Sequence, residues 1–416
     1  KSLSETVIAS YGWKGAMRSI IDANVTHILT GAILFTFGTG LIKGFALTLL
    51  IGIVTSLFTS IFIARIFIDR DIANNSNLTF STAITKNWFT NFHFDFIKIK
   101  TITYIFSSIV VVVSLISIFF VNGLDQGVDF VGGRTFQVKF EKAIDATKVA
   151  EELSKEFGTT VEAKIFGSDD QLKITTKYKI TEEGVDVDKE VNEKLYKGLQ
   201  SYYPNTSYDQ FINSYDGKKV GVLQASKVGA SISEDIKTNS YWAVLGAMAV
   251  IFLYLMISFR KWQYSLGAIA AVAHDVIFVL GIYSLCYKFM PFHMEMDQHF
   301  IAAILTVIGY SMNDTVIVFD RIREFIMGKR KGTFEEIVNA SINTTLSRTL
   351  NTSLMMIIVL LTMFIFGGES IRGFIFAMLV GIVVGTYSSL FIATPVLVDT
   401  ISRSDKNQIE KEHKEA

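Results

Sequence analysis

Two apolar runs of this sequence hold charge where charge is expensive to keep. Residues 345–366 read TLSRTLNTSLMMIIVLLTMFIF and contain Arg348, and residues 301–319 read IAAILTVIGYSMNDTVIVF and contain Ser311, Asn313 and Asp314. On a helix, Thr344, Arg348, Asn351 and Thr352 fall at i, i+4, i+7 and i+8 and share one face. A central arginine or aspartate in a bilayer costs about 3 kcal/mol on insertion scales, so each needs a partner or a water-filled cavity. The chemistry such a pair offers is a carboxylate that gains and loses a proton beside a guanidinium that holds its charged form. The plainer alternative is a static ion pair that fastens two helices. By helical rise Asp314 lies roughly 21 Å, and Arg348 roughly 27 Å, from the outer ends of their spans, so both fall in the inner half.

Secondary polar candidates follow the same logic. His274 and Asp275, in AAVAHDVIF, point about 100° apart and need not touch each other; Asp275 ranks as a second site, and His274 as a bond to a neighbouring helix. Asp22 shares a face with Thr26 and Thr30, near a helix end from which it can equally reach water. The loop HMEMDQH fits no standard metal-site spacing, and no metal or cofactor is expected. No G-x-x-x-x-G-K-[ST] run is present, so no ATPase is encoded in these residues. An ion gradient is the natural energy source, since one charge crossing about 100 mV yields roughly 2.3 kcal/mol. Lys+Arg 39 against Asp+Glu 39, with no long basic run, gives no case for nucleic acid. The single Cys286 permits no intrachain disulfide.

The elements that must position these groups are transmembrane helices. Half of the 416 residues are hydrophobic and they are gathered in blocks. Eight blocks approach the roughly 20 residues a span needs: about 20–38, 44–67, 104–121, 242–258, 266–285, 301–319, 345–366 and 373–397. Basic residues follow the second, fourth and sixth blocks, which puts those loops and both chain ends in the cytoplasm and residues 122–238 outside. Residues 37–65 repeat as 366–394 at an offset of 329, with 13 of 29 positions identical, FGTGLIKGF against FGGESIRGF at the head. Gly52, Ser56 and Ser60 correspond to Gly381, Gly385 and Ser389, small residues that let two helix backbones approach closely. The first copy lacks partners for spans three to six. A polar lead-in from Lys1 adds to the expectation that a front part of the protein lies outside this chain.

The resulting organisation is 1–68, two helices; 69–102, a cytoplasmic linker; 103–121, a third helix; 122–238, a water-facing domain; 239–400, five helices; and 401–416, a cytoplasmic tail. Between 122 and 238 the pattern reads strand, helix, strand, strand, helix, strand, an α+β ferredoxin-like order. Asp145 caps its first helix and Gly158 ends it.

Several motifs together carry a resemblance. GVDFVGG at 127–133, AAVAHDVIFVLGIYSL, IAAILTVIGYSMNDTVIVFDRIRE, and LSRTLNTS followed by FGGESIRGF resemble the SecF half of the bacterial SecDF protein-export membrane protein family. IIDANVTHILTG with FGTGLIKGFALTLLIGIVTSLFTSIFIAR resembles the last two helices of its SecD half. The resemblance implies a resistance-nodulation-division type bundle in the cytoplasmic (inner) membrane, with the 122–238 domain in the periplasm. It implies partnership with the SecYEG channel, the SecA motor and a translocating preprotein, and work driven by protons across the bilayer. Asp314 and Arg348 match the family's proton-relay pair. No covalent substrate chemistry is required, so an enzyme is not expected. The rival readings are an exporter of small molecules or lipids within the same superfamily and a passive scaffold for the translocon.

Overall fold

Hydrophobic blocks that cannot face water dictate long helices, and the computed structural model describes residues 17, 20–21, 24–38, 40–74, 93–182, 184–213, 220–290, 292 and 294–414 of the chain. From the N-terminal side run α1 (Asn24–Phe37), α2 (Lys43–Arg70) and α3 (Lys100–Val121). A sheet domain follows: β1 (Gly133–Lys139), α4 (Ala146–Phe157), β2 (Val161–Phe166), β3 (Ser168–Thr176), α5 (Val185–Leu199) and β4 (Gly221–Val228). Then come α6 (Ser231–Phe259), α7 (Trp262–Cys286), α8 (Gln298–Met327), α9 (Phe334–Phe366) and α10 (Ile371–Thr400), closed by the polar α11 (Arg403–Lys414). Among the described residues seven helices are long and apolar enough to cross a membrane; α1 is apolar but shorter than that length.

Burial singles out α8 as the axis of the bundle. Its apolar window is 83% buried, against 67% for α10, 50% for α7 and 17% or less for α2, α3 and α9. Small residues let α10 press on it: a Cβ on Gly381 would meet Val307 Cγ2 at 2.3 Å, and one on Gly385 would meet Ser311 Cβ at 2.9 Å. The matching stripe of α2 does not pack in this way. A Cβ added to Gly52 would meet nothing within 4 Å and Ser56 is exposed, so the close approach expected of both repeat copies is made by the second alone. The copies do share a backbone irregularity, a π-turn at Thr59–Ile63 and another at Ser389–Ala393. Shifted by 329 the first becomes 388–392, one residue from the second, and such turns recur at functional positions of helices.

The sheet domain follows from strand alternation and capping. Asp145 Oδ1 accepts from the amides of Thr147 and Lys148, and Gly158 ends α4 in the left-handed region. The strand order β2-β3-β1-β4 with every pairing antiparallel is the ferredoxin-like arrangement read from the sequence. Val138, Leu172 and Ile174 of the sheet close with Leu153 and Leu195 of the helices into a core separate from that of the bundle.

A glycine pair sets the entry to this domain. Gly132 has φ +71° and ψ 164°, a region open essentially to glycine, and a Cβ there would meet Ile180 Cδ1 at 2.5 Å. The same entry segment is tied to the start of α8. Asp129 Oδ2 accepts from the Gln298 amide at 3.0 Å, and Gly127 N donates to Met296 O at 2.9 Å. From the sheet, Lys173 reaches Glu295 at 2.7 Å and Lys164 reaches Asp125 at 2.8 Å. Burial alone pulls the Lys164 ammonium down, but Asp125 and Glu295 outweigh it and hold that group above its usual value. The domain therefore rides on the N-terminal end of the most buried helix.

Candidate functional site

Asp314 sits on the buried seam where α8 meets α9 and α10, with no exposed surface. Ser353 Oγ donates to its Oδ2 at 3.4 Å, and Ser353 Oγ lies 2.7 Å from Thr386 Oγ1 on α10. Its other oxygen, Oδ1, has no hydrogen-bond partner among the described residues, and Thr349 Oγ1 on α9 is likewise unsatisfied, while the Tyr310 hydroxyl of α8 faces Ser353 and Thr352. Buried polar groups are satisfied in the great majority of cases, so the two orphaned oxygens, Asp314 Oδ1 and Thr349 Oγ1, single this seam out as a candidate site.

Arg348 does not close on this carboxylate. No ion pair or hydrogen bond joins Asp314 to Arg348 among the described residues, although the guanidinium acts on Asp314 through space. The reason is rotational. Ser353 and Arg348 are five residues apart, about 140° around the helix, and α9 turns its Thr345, Thr349, Ser353 stripe inward. The face expected to carry the site, Thr344, Arg348 and Asn351, is exposed, with Thr352 half-buried. Asn313 is half-buried, and Asp22 lies outside the described residues.

Asp275 is the more completely built of the two carboxylates. It is 1% exposed, and Oδ2 accepts from Ser311 Oγ of α8 and Ser388 Oγ of α10, both at 2.7 Å. His274 Nδ1 lies 3.2 Å from Oδ1, so the two neighbours touch despite their different directions on the helix. Between the carboxylates, Thr315 Oγ1 and Ser389 Oγ lie 2.8 Å apart, and Ser389 Oγ is also 3.2 Å from Ser311 O. Thr386, Ser388 and Ser389 thus present hydroxyls to three sides immediately before and at the π-turn of α10. These and Ser353 are the polar residues the sequence reading missed. The signal available was hydroxyl spacing, Thr345, Thr349 and Ser353 at i, i+4 and i+8, and the run TYSS at 386–389.

The arrangement can hold two buried carboxylates in contact with reorienting hydroxyls, and hydroxyls serve either protonation state because each both donates and accepts. No cluster of three or more His, Cys, Asp or Glu suited to a metal occurs among the described residues.

Comparison with known proteins gives these features a context. Residues 6–70 and 208–403 match the family described as protein export membrane protein SecD/SecF, C-terminal, and residues 117–144 match the SecD/SecF GG motif, which contains Gly132 and Gly133. The chain is 41% identical over 316 residues to the protein translocase subunit SecF of Rhodothermus marinus, covering 76% of this chain and 96% of that protein. It is 34% identical over 392 residues to SecDF of Brucella abortus, covering 93% of this chain and 48% of that one. The crystal structure of SecDF from Thermus thermophilus, described as a translocon-associated membrane protein, aligns with a TM-score of 0.78 at 29% identity, over 94% of this chain and 49% of that one. The chain spans nearly the whole SecF relative and about half the length of the SecDF proteins it matches.

Proposed function

Because this chain belongs to the SecD/SecF family of protein export membrane proteins, we propose that it acts in preprotein translocation as a proton-driven accessory of the translocon, with Asp314 the group that takes up and releases the proton. Its relatives carry the name protein translocase subunit, and a multi-pass helical bundle with a small sheet domain suits that role. The remainder is our reading: residence in the cytoplasmic (inner) membrane, the sheet domain in the periplasm, and work alongside SecYEG, SecA and the preprotein.

The observation that carries the reading is a buried carboxylate with one oxygen unsatisfied, on the most buried helix, whose N-terminal end holds the sheet domain. A proton arriving at Asp314 removes its attraction to Arg348 and allows its acid hydrogen to bond within the seam. Two arrangements of α8 against α9 then differ in energy by their differential proton affinity, which is what a gradient can drive. Arg348, on the open face of α9, is the counter-charge available to the ionised form. The rival exporter needs a sizeable apolar pocket. The apolar cavity lined by Phe130, Val244, Val276, Leu280 and Ile304 is about 110 Å³, below the ~300 Å³ where ligand pockets begin, and the larger cleft of about 820 Å³ at the sheet domain carries Asp125, Glu162, Lys164 and Lys288 in its lining and is not apolar.

The test is Asp314→Asn in the full-length protein, with export of a secreted reporter measured with and without a proton gradient. The reading expects the variant to lose the gradient-dependent part of export. Export that stays gradient-dependent contradicts it, and export that never depended on the gradient favours a scaffold.

A further inference from the structure

We propose that Asp275 is a second proton-binding carboxylate of the bundle, separate from Asp314, whose occupancy sets how tightly α10 is held to α7. The inference rests on the proton-driven reading above, but a different group carries it. Asp275 lies midway along α7 and is shut off from solvent, and among the described residues no lysine or arginine contacts it. A permanently ionised carboxylate at such depth costs about 3 kcal/mol on insertion scales without a cation to offset it.

What surrounds it is adjustable rather than fixed. The Ser311 and Ser388 hydroxyls both donate to one oxygen, and the His274 ring nitrogen faces the other. From α10, Tyr387 also approaches, its ring 6.1 Å from that of His274 and its hydroxyl 3.0 Å from Ser107 Oγ of α3. His274 and Tyr387 are therefore the titratable side chains that face the site, with hydroxyls from α8 and α10 completing it. When Asp275 is ionised, it accepts from both serines. When a proton binds at Oδ1, the acid O–H donates toward His274 Nδ1 and the pull on both serine hydroxyls weakens.

That change reaches the other carboxylate through α10. Ser388 is bracketed by Ser389, which bonds Thr315, and by Thr386, which bonds the Ser353 that holds Asp314. The π-turn starting at Ser389 supplies a backbone that can re-register at this point. The two hydroxyls close on a single carboxylate oxygen at 2.7 Å, a geometry for hydrogen bonds rather than for an ion lodged between them.

The experiment is infrared difference spectroscopy of the full-length protein in lipid vesicles, titrated with pH in H2O and D2O. The proposal expects a carboxylic C=O band that appears on acidification, is absent in Asp275→Asn and persists in Asp314→Asn. Ser388→Ala, which keeps the carboxylate and the fold, is expected to move the pH at which this band appears. A titrating Asp314 band with none from Asp275 overturns this proposal and leaves the proposed function standing. A titrating carboxylic spectrum that loses no band in either Asp275→Asn or Asp314→Asn overturns both. A band that responds to sodium at fixed pH overturns the proton assignment in favour of a cation site.

Discussion

The seam between α8 and α10 makes a quantitative demand on one atom. Gly381→Ala adds a methyl 2.3 Å from Val307 Cγ2, 2.6 Å from Cγ1 and 3.0 Å from Cβ. Because Cβ itself is in the way, rotating the stiff Val307 side chain cannot relieve the clash, and the helices must part. Restoring an ordinary contact of about 3.5 Å requires a separation of roughly 1 Å. Ser388 lies two turns farther along α10, about 10 Å away, and its 2.7 Å bond to Asp275 cannot survive such a shift intact. Overpacking costs about 1–3 kcal/mol, each weakened hydrogen bond about 1, and alanine returns about 1 as the better helix former. The net expectation is a loss of about 1–3 kcal/mol. The internal control is Gly52→Ala at the repeat-equivalent position, where a methyl meets nothing within 4 Å. In this 416-residue chain that substitution is expected to be neutral or slightly stabilising. The assay is the temperature at which purified protein in detergent loses its monodisperse peak. Equal midpoints for the two variants would refute the packing argument, as would a greater loss in Gly52→Ala.

Other outcomes follow from local geometry. Ser353→Ala removes the hydroxyl on Asp314 Oδ2, and is expected to shift the pH profile of gradient-driven export while leaving protein abundance unchanged; an unmoved profile contradicts the seam contact. Gly132→Ala forces an L-residue into φ +71° against Ile180, and is expected to cost the sheet domain about 2 kcal/mol or more, read as faster amide exchange in β1. Partial burial pushes the Asp188 carboxyl up, but hydrogen bonds from Lys227 and Arg134 outweigh it and hold the group below the usual carboxylate range. The sign is therefore that of a depressed acid: its stabilisation is full above the usual carboxylate range and is lost as pH falls through the lower folded value. Asp188→Asn should flatten that part of the acid sensitivity of β1 exchange, and an unchanged acid limb counts against the pairing.

Seven of the eight expected membrane spans, the sheet domain and the presence of a buried acid were legible in the sequence because each rests on local pattern. Apolar length marks a span, alternation marks β1 to β4, and a lone Asp314 among apolar residues stands out whatever surrounds it. What surrounds it was less legible. Helical periodicity identifies faces but not which face turns inward, so Thr344, Arg348 and Asn351 read as the site face while α9 buries the neighbouring Thr345, Thr349 and Ser353 stripe. Serines and threonines cost little in an apolar run and so do not announce themselves; Ser388 acquires meaning only when α7 and α10 bring it to Asp275, and Ser311, named for its place beside Asp314, turns out to bond Asp275 instead. The repeat pairs α2 with α10 in sequence, and the two carry neighbouring π-turns, yet it could not tell that the small-residue stripe packs closely only in the second copy.

The central claim is that a proton on Asp314 is what the bundle uses. Its most direct test is proton flux into vesicles carrying the full-length protein under an imposed gradient with a preprotein engaged, compared between the unaltered protein and Asp314→Asn. The account predicts that the flux attributable to the protein vanishes in the variant while its assembly in the membrane is normal. Undiminished flux in a well-folded Asp314→Asn protein would contradict it.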